Sequence, residues 1–160
     1  MTEATQRITY ATMSADPNLH VEFDAAVERG NRLWVVDSDG EQQTPITDVG
    51  SFQSSAWNST GTMITYNNFM PPAKIMVLDL AAGRSRTVVT GGGVFISPVF
   101  TPDGGSVVYS HGIEDGTDLY IADVAGGNAR RLSVGRGSDN LSPSFSPDGR
   151  RIAFMSARSG

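Results

Sequence analysis

The sequence predicts an all-β protein, a β-propeller of four-stranded antiparallel blades present as a partial propeller of about three blades. Three observations carry this. Aromatic residues at Trp57, Phe100 and Phe145 and turn glycines at Gly61, Gly104 and Gly149 recur in step, with spacings of 43 and then 45 residues. Short apolar runs follow them at matching positions. The composition, with 18 Gly, 8 Pro and no Cys in 160 residues, favours many turns over long helices. A period of roughly 44 residues holding four strand patterns is the period of a propeller blade.

The elements follow in chain order. Strand one of a blade lies in 54–61, 97–104 and 142–149, each segment ending in a tight turn. Two of these turns are Pro-Asp-Gly, in which Pro presets φ, Asp bonds backbone amides and Gly accepts positive φ. In the first copy, Asn58-Ser59-Thr60-Gly61 replaces it, a milder turn of the same kind. Strand two is 63–66, 107–110 and 152–155, with 8–11 as an extra copy at the start. Strand three is 33–37, 75–79 and 119–123, always closing on Asp before a turn. Strand four is the more polar 43–47, 86–90 and 130–133.

Strands two and three are apolar on both sides of the pleat, as in Val107-Val108-Tyr109, so their sheets are expected to be covered on both faces. Pro98 and Pro143 are expected at the beginning of strand one and Pro45 in strand four. Those are the two edges of a blade, where a missing amide donor costs least. The chain reads as a single partial propeller domain over 1–160, with blade segments 7–47, 54–90, 97–133 and 142–156 and an insertion at 13–31. The first blade lacks its own strand one. Three blades cannot close a ring, so either residues beyond Gly160 or another subunit is expected to cover the open end.

Bulk chemistry excludes several functions. With 12 Lys and Arg against 17 Asp and Glu, the formal charge is −5, and no basic stretch exceeds a pair, against a nucleic-acid surface. The absence of Cys rules out disulfides and thiolate chemistry. No apolar run approaches the roughly 20 residues that span a bilayer. The first residues do not read as a signal peptide.

The stretch Ser142-Pro-Ser-Phe-Ser-Pro-Asp-Gly-Arg-Arg-Ile-Ala-Phe-Met-Ser156 resembles the repeat of the TolB-like, or PD40 (WD40-like), β-propeller family. Asp118-Leu-Tyr-Ile-Ala-Asp123, followed by Gly127-Asn-Ala-Arg-Arg-Leu132, carries the same resemblance. It covers nearly the whole chain outside 13–31. It implies a non-catalytic protein-binding scaffold in the bacterial cell envelope, located in the periplasm, with no cofactor. Two alternatives stay open: an extrinsic subunit of a membrane protein complex, and the propeller part of a larger prolyl-oligopeptidase-like hydrolase.

Candidate sites are sought on one rim. The connections after strands two and four, at 13–31, 67–74, 90–96, 111–117 and 134–141, are expected to be the longer and irregular ones, where recognition usually resides. Phe69 and Met70, beside Pro71-Pro72, make the most suggestive partner patch; the competing reading folds Phe69 back onto its own blade. In 13–31, Phe23 and Val27 lie at i, i+4 ahead of Gly30, the pattern of a short packing helix. His111, Glu114 and Asp115 share one expected loop, read as a solvated acidic loop rather than a metal or proton-transfer site. Asp37-Ser38-Asp39-Gly40 echoes a calcium loop but lacks its remaining acids, so it reads as an Asp-rich turn. The candidate partner-binding residues are thus Phe23, Phe69, Met70, His111, Glu114 and Asp115. No catalytic, cofactor or metal residue is assigned. The nucleophile elbow Gly-x-Ser-x-Gly does not occur, and His20 and His111, both expected in loops, are the only histidines.

Overall fold

The computed structural model describes residues 7–13, 30–113, 116–133 and 139–158. Among them are thirteen strands and no helix. The chain divides into two compact units, Met1–Phe52 and Gln53–Gly160.

The first unit holds one three-stranded sheet in the order β1 (Arg7–Met13), β2 (Asn31–Asp37), β3 (Gln43–Pro45). β1 pairs antiparallel with β2 from Arg7↔Asp37 to Met13↔Asn31. Pro45 ends β3, an edge strand, where its missing N–H interrupts no ladder. The Asp39 carboxylate accepts from the Glu41 amide, so it shapes its own turn. The helix expected around Phe23 and Val27 lies outside the described residues.

The second unit contains three sheets. β4 (Ser55–Trp57), β5 (Met63–Asn68), β6 (Ala73–Asp79) and β7 (Arg84–Gly91) form a four-stranded antiparallel sheet in chain order. β8 (Val94–Phe100), β9 (Ser106–Ile113), β10 (Gly116–Asp123) and β11 (Arg130–Arg131) repeat that plan. β12 (Asn140–Phe145) and β13 (Ile152–Ser156) form a third, two-stranded sheet.

The sheets stack. β8 lies across β4, β5 and β6, and β12 lies against β8, β9 and β10. The main core fills the space between the first two sheets: Ile75, Val77 and Val88 meet Phe95, Val107 and Tyr109. Burial runs without alternation along β5, where Ile64 to Asn67 are all buried, and along β9, where Val107 to Ser110 are. Both faces of these strands are therefore covered, as their apolar sequences require. Burial also pushes the Tyr109 phenol up to about 12, with neighbouring Tyr120 adding to the rise.

Two expectations are corrected. Pro98 and Pro143 do not begin strand one; they sit inside β8 and β12, where the register skips between Ile96 and Val99 and between Leu141 and Ser144. The bulge accommodates the absent N–H, and it turns the preceding Ser97 and Ser142 to φ of 52° and 53°. The connections after strands two and four are not uniformly long either. β7 runs to Gly91 and β8 starts at Val94, while β9 runs to Ile113 and β10 starts at Gly116. Glycine and histidine in those stretches are compatible with the ladder, so the strands continue through them.

The turns at the opposite end share one design. In 101–106 the Thr101 hydroxyl donates to Asp103 Oδ1 (2.6 Å), and that oxygen also accepts from the Gly105 amide. Ser146 and Asp148 repeat this, with the Arg150 amide as donor. In the first copy Asn58 takes over, its Oδ1 accepting from the Thr62 and Met63 amides. The Thr101 hydroxyl, then the Gly105 amide, lowers the Asp103 carboxyl, and Ser146 followed by the Arg150 amide lowers Asp148. Because both are depressed in the folded chain, their stabilising effect is present above the ordinary carboxylate range. It is lost as pH falls through the lowered values. Thermal melts taken downward from about pH 5 should show less loss of stability on acidification in Asp103→Asn and Asp148→Asn than in the parent.

Candidate functional site

The rim of the second unit where β5 and β9 end and β4, β8 and β12 begin is held together by polar side chains buried in strands. Asn67, fully buried on β5, accepts through Oδ1 from the amides of Gln53 and Ser54 (3.1 and 2.8 Å) and donates through Nδ2 to the Phe95 carbonyl (3.2 Å). One side chain thus ties the entry to β4 to β8 of the next sheet. The Ser54 hydroxyl extends the tie by accepting from the Ser97 amide (3.0 Å). Such buried, saturated groups fix geometry because leaving any of them unpaired is costly.

A second brace joins the second sheet of this unit to the third. Asp118 on β10 accepts at Oδ1 from the Ser133 hydroxyl (2.7 Å) and from Asn140 Nδ2 (3.1 Å), and pairs with Arg131 through Oδ2. Asn140, fully buried at the start of β12, accepts in turn from the Ser156 hydroxyl (2.8 Å) and from Arg158 (3.2 Å).

On this framework the rim presents apolar side chains to solvent. Met70, in the connection 69–72, is 51% exposed, Val94 47% and Ile113 56%. Phe69 is half-buried, whereas Met70 projects outward with its amide donating to Asn68 Oδ1. Gly93 (φ 81°) brings β8 against the end of β9: a Cβ there would stand 2.2 Å from the Gly112 carbonyl oxygen. Only glycine allows that approach.

His111 lies on β9, not in a loop. Its ring stacks on Phe95 (centroids 4.2 Å apart, planes at 11°) and meets Tyr120 edge-on at 5.4 Å. Nε2 donates to the Gly92 carbonyl (2.9 Å). A ring so occupied is a strut between strand ends; its Nε2 proton is committed to the backbone. Among the described residues no group of three His, Cys, Asp or Glu is placed to hold a metal ion.

Of the six residues proposed from sequence, the structure places Phe69, Met70 and His111 on this rim, while Phe23, Glu114 and Asp115 lie outside the described residues. Val94 and Ile113 were missed. Their signal was present in the β-branched and aromatic run Val94-Phe95-Ile96 and in the apolar continuation of Val107 to Ile113. Nothing in the local sequence marks Asn67, Asp118 or Asn140 as braces.

Comparison with known proteins supports the same architecture. The chain is 32% identical over 129 residues to a TolB homologue of Chlorobium chlorochromatii, an overlap of 79% of this chain and 28% of that protein. It is 34% identical over 112 residues to the Tol-Pal system protein TolB of Gluconobacter oxydans, covering 67% of this chain and 24% of that one. It therefore spans about a quarter of the length of these relatives. Among solved structures it superposes on TolB from Acinetobacter baumannii with a TM-score of 0.71 at 26% identity, covering 84% of this chain and 34% of that one. It superposes on a prolyl endopeptidase with a TM-score of 0.59 at 16% identity, covering 77% of this chain and 22% of that one, a likeness of fold alone. The model of the TolB β-propeller domain matches residues 19–160. The chain belongs to the TolB β-propeller domain family.

Proposed function

We propose that the chain is a non-catalytic protein-binding scaffold of the bacterial cell envelope, acting in the periplasm and binding through the rim that carries Met70, Val94 and Ile113. The observation that carries this reading is three large apolar side chains, each about half exposed, two at strand ends and Met70 in the connection 69–72, on a rim braced by Asn67 and the Gly93 contact. Apolar groups held rigidly in solvent suit a protein interface, because little side-chain or loop ordering remains to oppose association. The relative named as a Tol-Pal system protein supports an envelope setting.

The likeness to peptidase propellers rests on fold alone. Photo-crosslinking groups at positions 70 and 113 test the proposal in solubilised bacterial envelope. They should capture the same protein, whereas a group at Asn128, in the turn 124–129, should not. A double Met70→Asp, Ile113→Asp variant should fold normally yet capture about thirtyfold less, as expected for two interface positions each contributing about 1 kcal/mol. Capture at Asn128 alone, or capture indifferent to the double substitution, would move the interface elsewhere.

A further inference from the structure

The proton position on His111 is set by the backbone. A carbonyl oxygen only accepts, so the 2.9 Å contact between Nε2 and the Gly92 carbonyl places the ring N–H on Nε2. Nδ1 is then left with a lone pair and acts as an acceptor. Among the described residues nothing donates to it. The half-buried ring is also held in place. It lies flat on Phe95 and edge-on to Tyr120, and a half-turn would give up the Gly92 bond.

The surroundings of that acceptor are apolar and short of side chains. A Cβ on Gly93 would come within 3.1 Å of both His111 Nε2 and Ile113 Cγ2, and one on Gly112 within 3.4 Å of Val94 Cγ2. His111, Ile113 and Val94 therefore meet around two glycines, and Gly92 beside them has nothing within 4 Å. The carboxylate opposite His111 in the β9–β10 register is Asp118, which is occupied by Ser133, Asn140 and Arg131. A cation at Nδ1 would shed water among apolar side chains and gain no counter-charge from Asp118, a cost that a neutral donor avoids. An aromatic side chain ending in a donor suits the place better, because it buries a broad apolar area and its polar tip finds a partner.

Resting on the reading of this rim as the binding surface, we infer that Nδ1 of His111 is its specificity-determining acceptor. It receives a hydrogen bond from a neutral aromatic donor of the partner protein, of which the Tyr hydroxyl is the simplest. The ring of that residue packs on Val94 and Ile113, and the missing side chains at Gly92 and Gly93 keep its approach open. A partner with Phe at that position would cover Nδ1 without pairing it, so the acceptor selects Tyr over Phe.

N-acetyl-tyrosinamide and N-acetyl-phenylalaninamide, which differ only in the hydroxyl, are the probes. Titrated into the isotope-labelled chain, both should shift the backbone amides of residues 92–94 and 111–113 in a saturable way. The tyrosinamide should bind about fivefold more tightly, the ratio set by one net hydrogen bond. His111→Phe keeps a ring against Phe95 and removes the acceptor, so the two probes should bind it alike. Long-range nitrogen–proton spectra of the free parent, which need no variant, should show the proton on Nε2 and none on Nδ1. Equal binding of the probes to the parent, no saturable shift at these amides, a preference that survives His111→Phe, or a proton on Nδ1 would each overturn the inference. Crosslinking at positions 70 and 113 judges the rim reading separately, since it does not depend on these probes.

Discussion

Asn67→Ala should destabilise the second unit by about 3 kcal/mol, a large share of the 5–15 kcal/mol typical of a folded domain. The substitution strips the acceptor from the part-buried amides of Gln53 and Ser54 and the donor from the buried Phe95 carbonyl. Each orphaned buried group costs roughly 1–3 kcal/mol, and partial relaxation returns some of it. Urea unfolding of parent and variant measures the difference. A Ser54→Ala control, which removes the hydroxyl that accepts from the Ser97 amide, should cost about 1 kcal/mol. Because Asn67 ties β4 and β5 to β8, its loss should also speed amide exchange at Phe95 and Ser97 in the neighbouring sheet.

Gly93→Ala should cost about 2–3 kcal/mol, from two causes that act together. A residue with φ of 81° is strained once it carries a side chain, and the added Cβ would meet the Gly112 carbonyl oxygen at 2.2 Å. Backbone must give way, because the atom it meets is itself part of the β8–β9 ladder. Gly92→Ala is the control: it has no neighbour within 4 Å and no positive φ, and should be neutral within about 0.5 kcal/mol. Thermal unfolding of the two variants separates the specific cost of Gly93 from a general loss of glycine. Below its own melting temperature, Gly93→Ala should also bind partner less well, since Val94, Ile113 and the His111 strut all border the displaced segment.

The repeat made much of the fold legible. Stepped aromatics and turn residues located all three pleated motifs of the second unit, and the unbroken apolar runs 63–66 and 107–110 revealed sheets covered on both faces. What stayed hidden depends on partners distant in sequence. Asn67 looks like the polar end of an apolar strand, and its role appears only when Phe95 lies beside it. Asn140 sits where the other copies have Phe52 and Phe95, so the repeat argues against noticing it. Pro98 was read as a strand start because a proline inside a ladder is normally excluded; the skipped register between Ile96 and Val99 removes that objection. His111 and the surrounding glycines carried turn-like composition, yet pairing with β10 and β8 holds them extended. On the rim, Met70 was accessible from sequence because prolines flag it, whereas exposure of Val94 and Ile113 is set by where β8 and β9 stop.

Residue-resolved hydrogen exchange of the free chain probes most directly whether stacking buries the middle strands from both sides. Amides of Ile64–Asn67 and Val107–Ser110 should all exchange at the slow limit set by opening of the whole second unit, while Ala153–Ser156 exchange far faster. Rapid exchange along either buried run, at rates like those of β13, would show that the sheets do not cover one another.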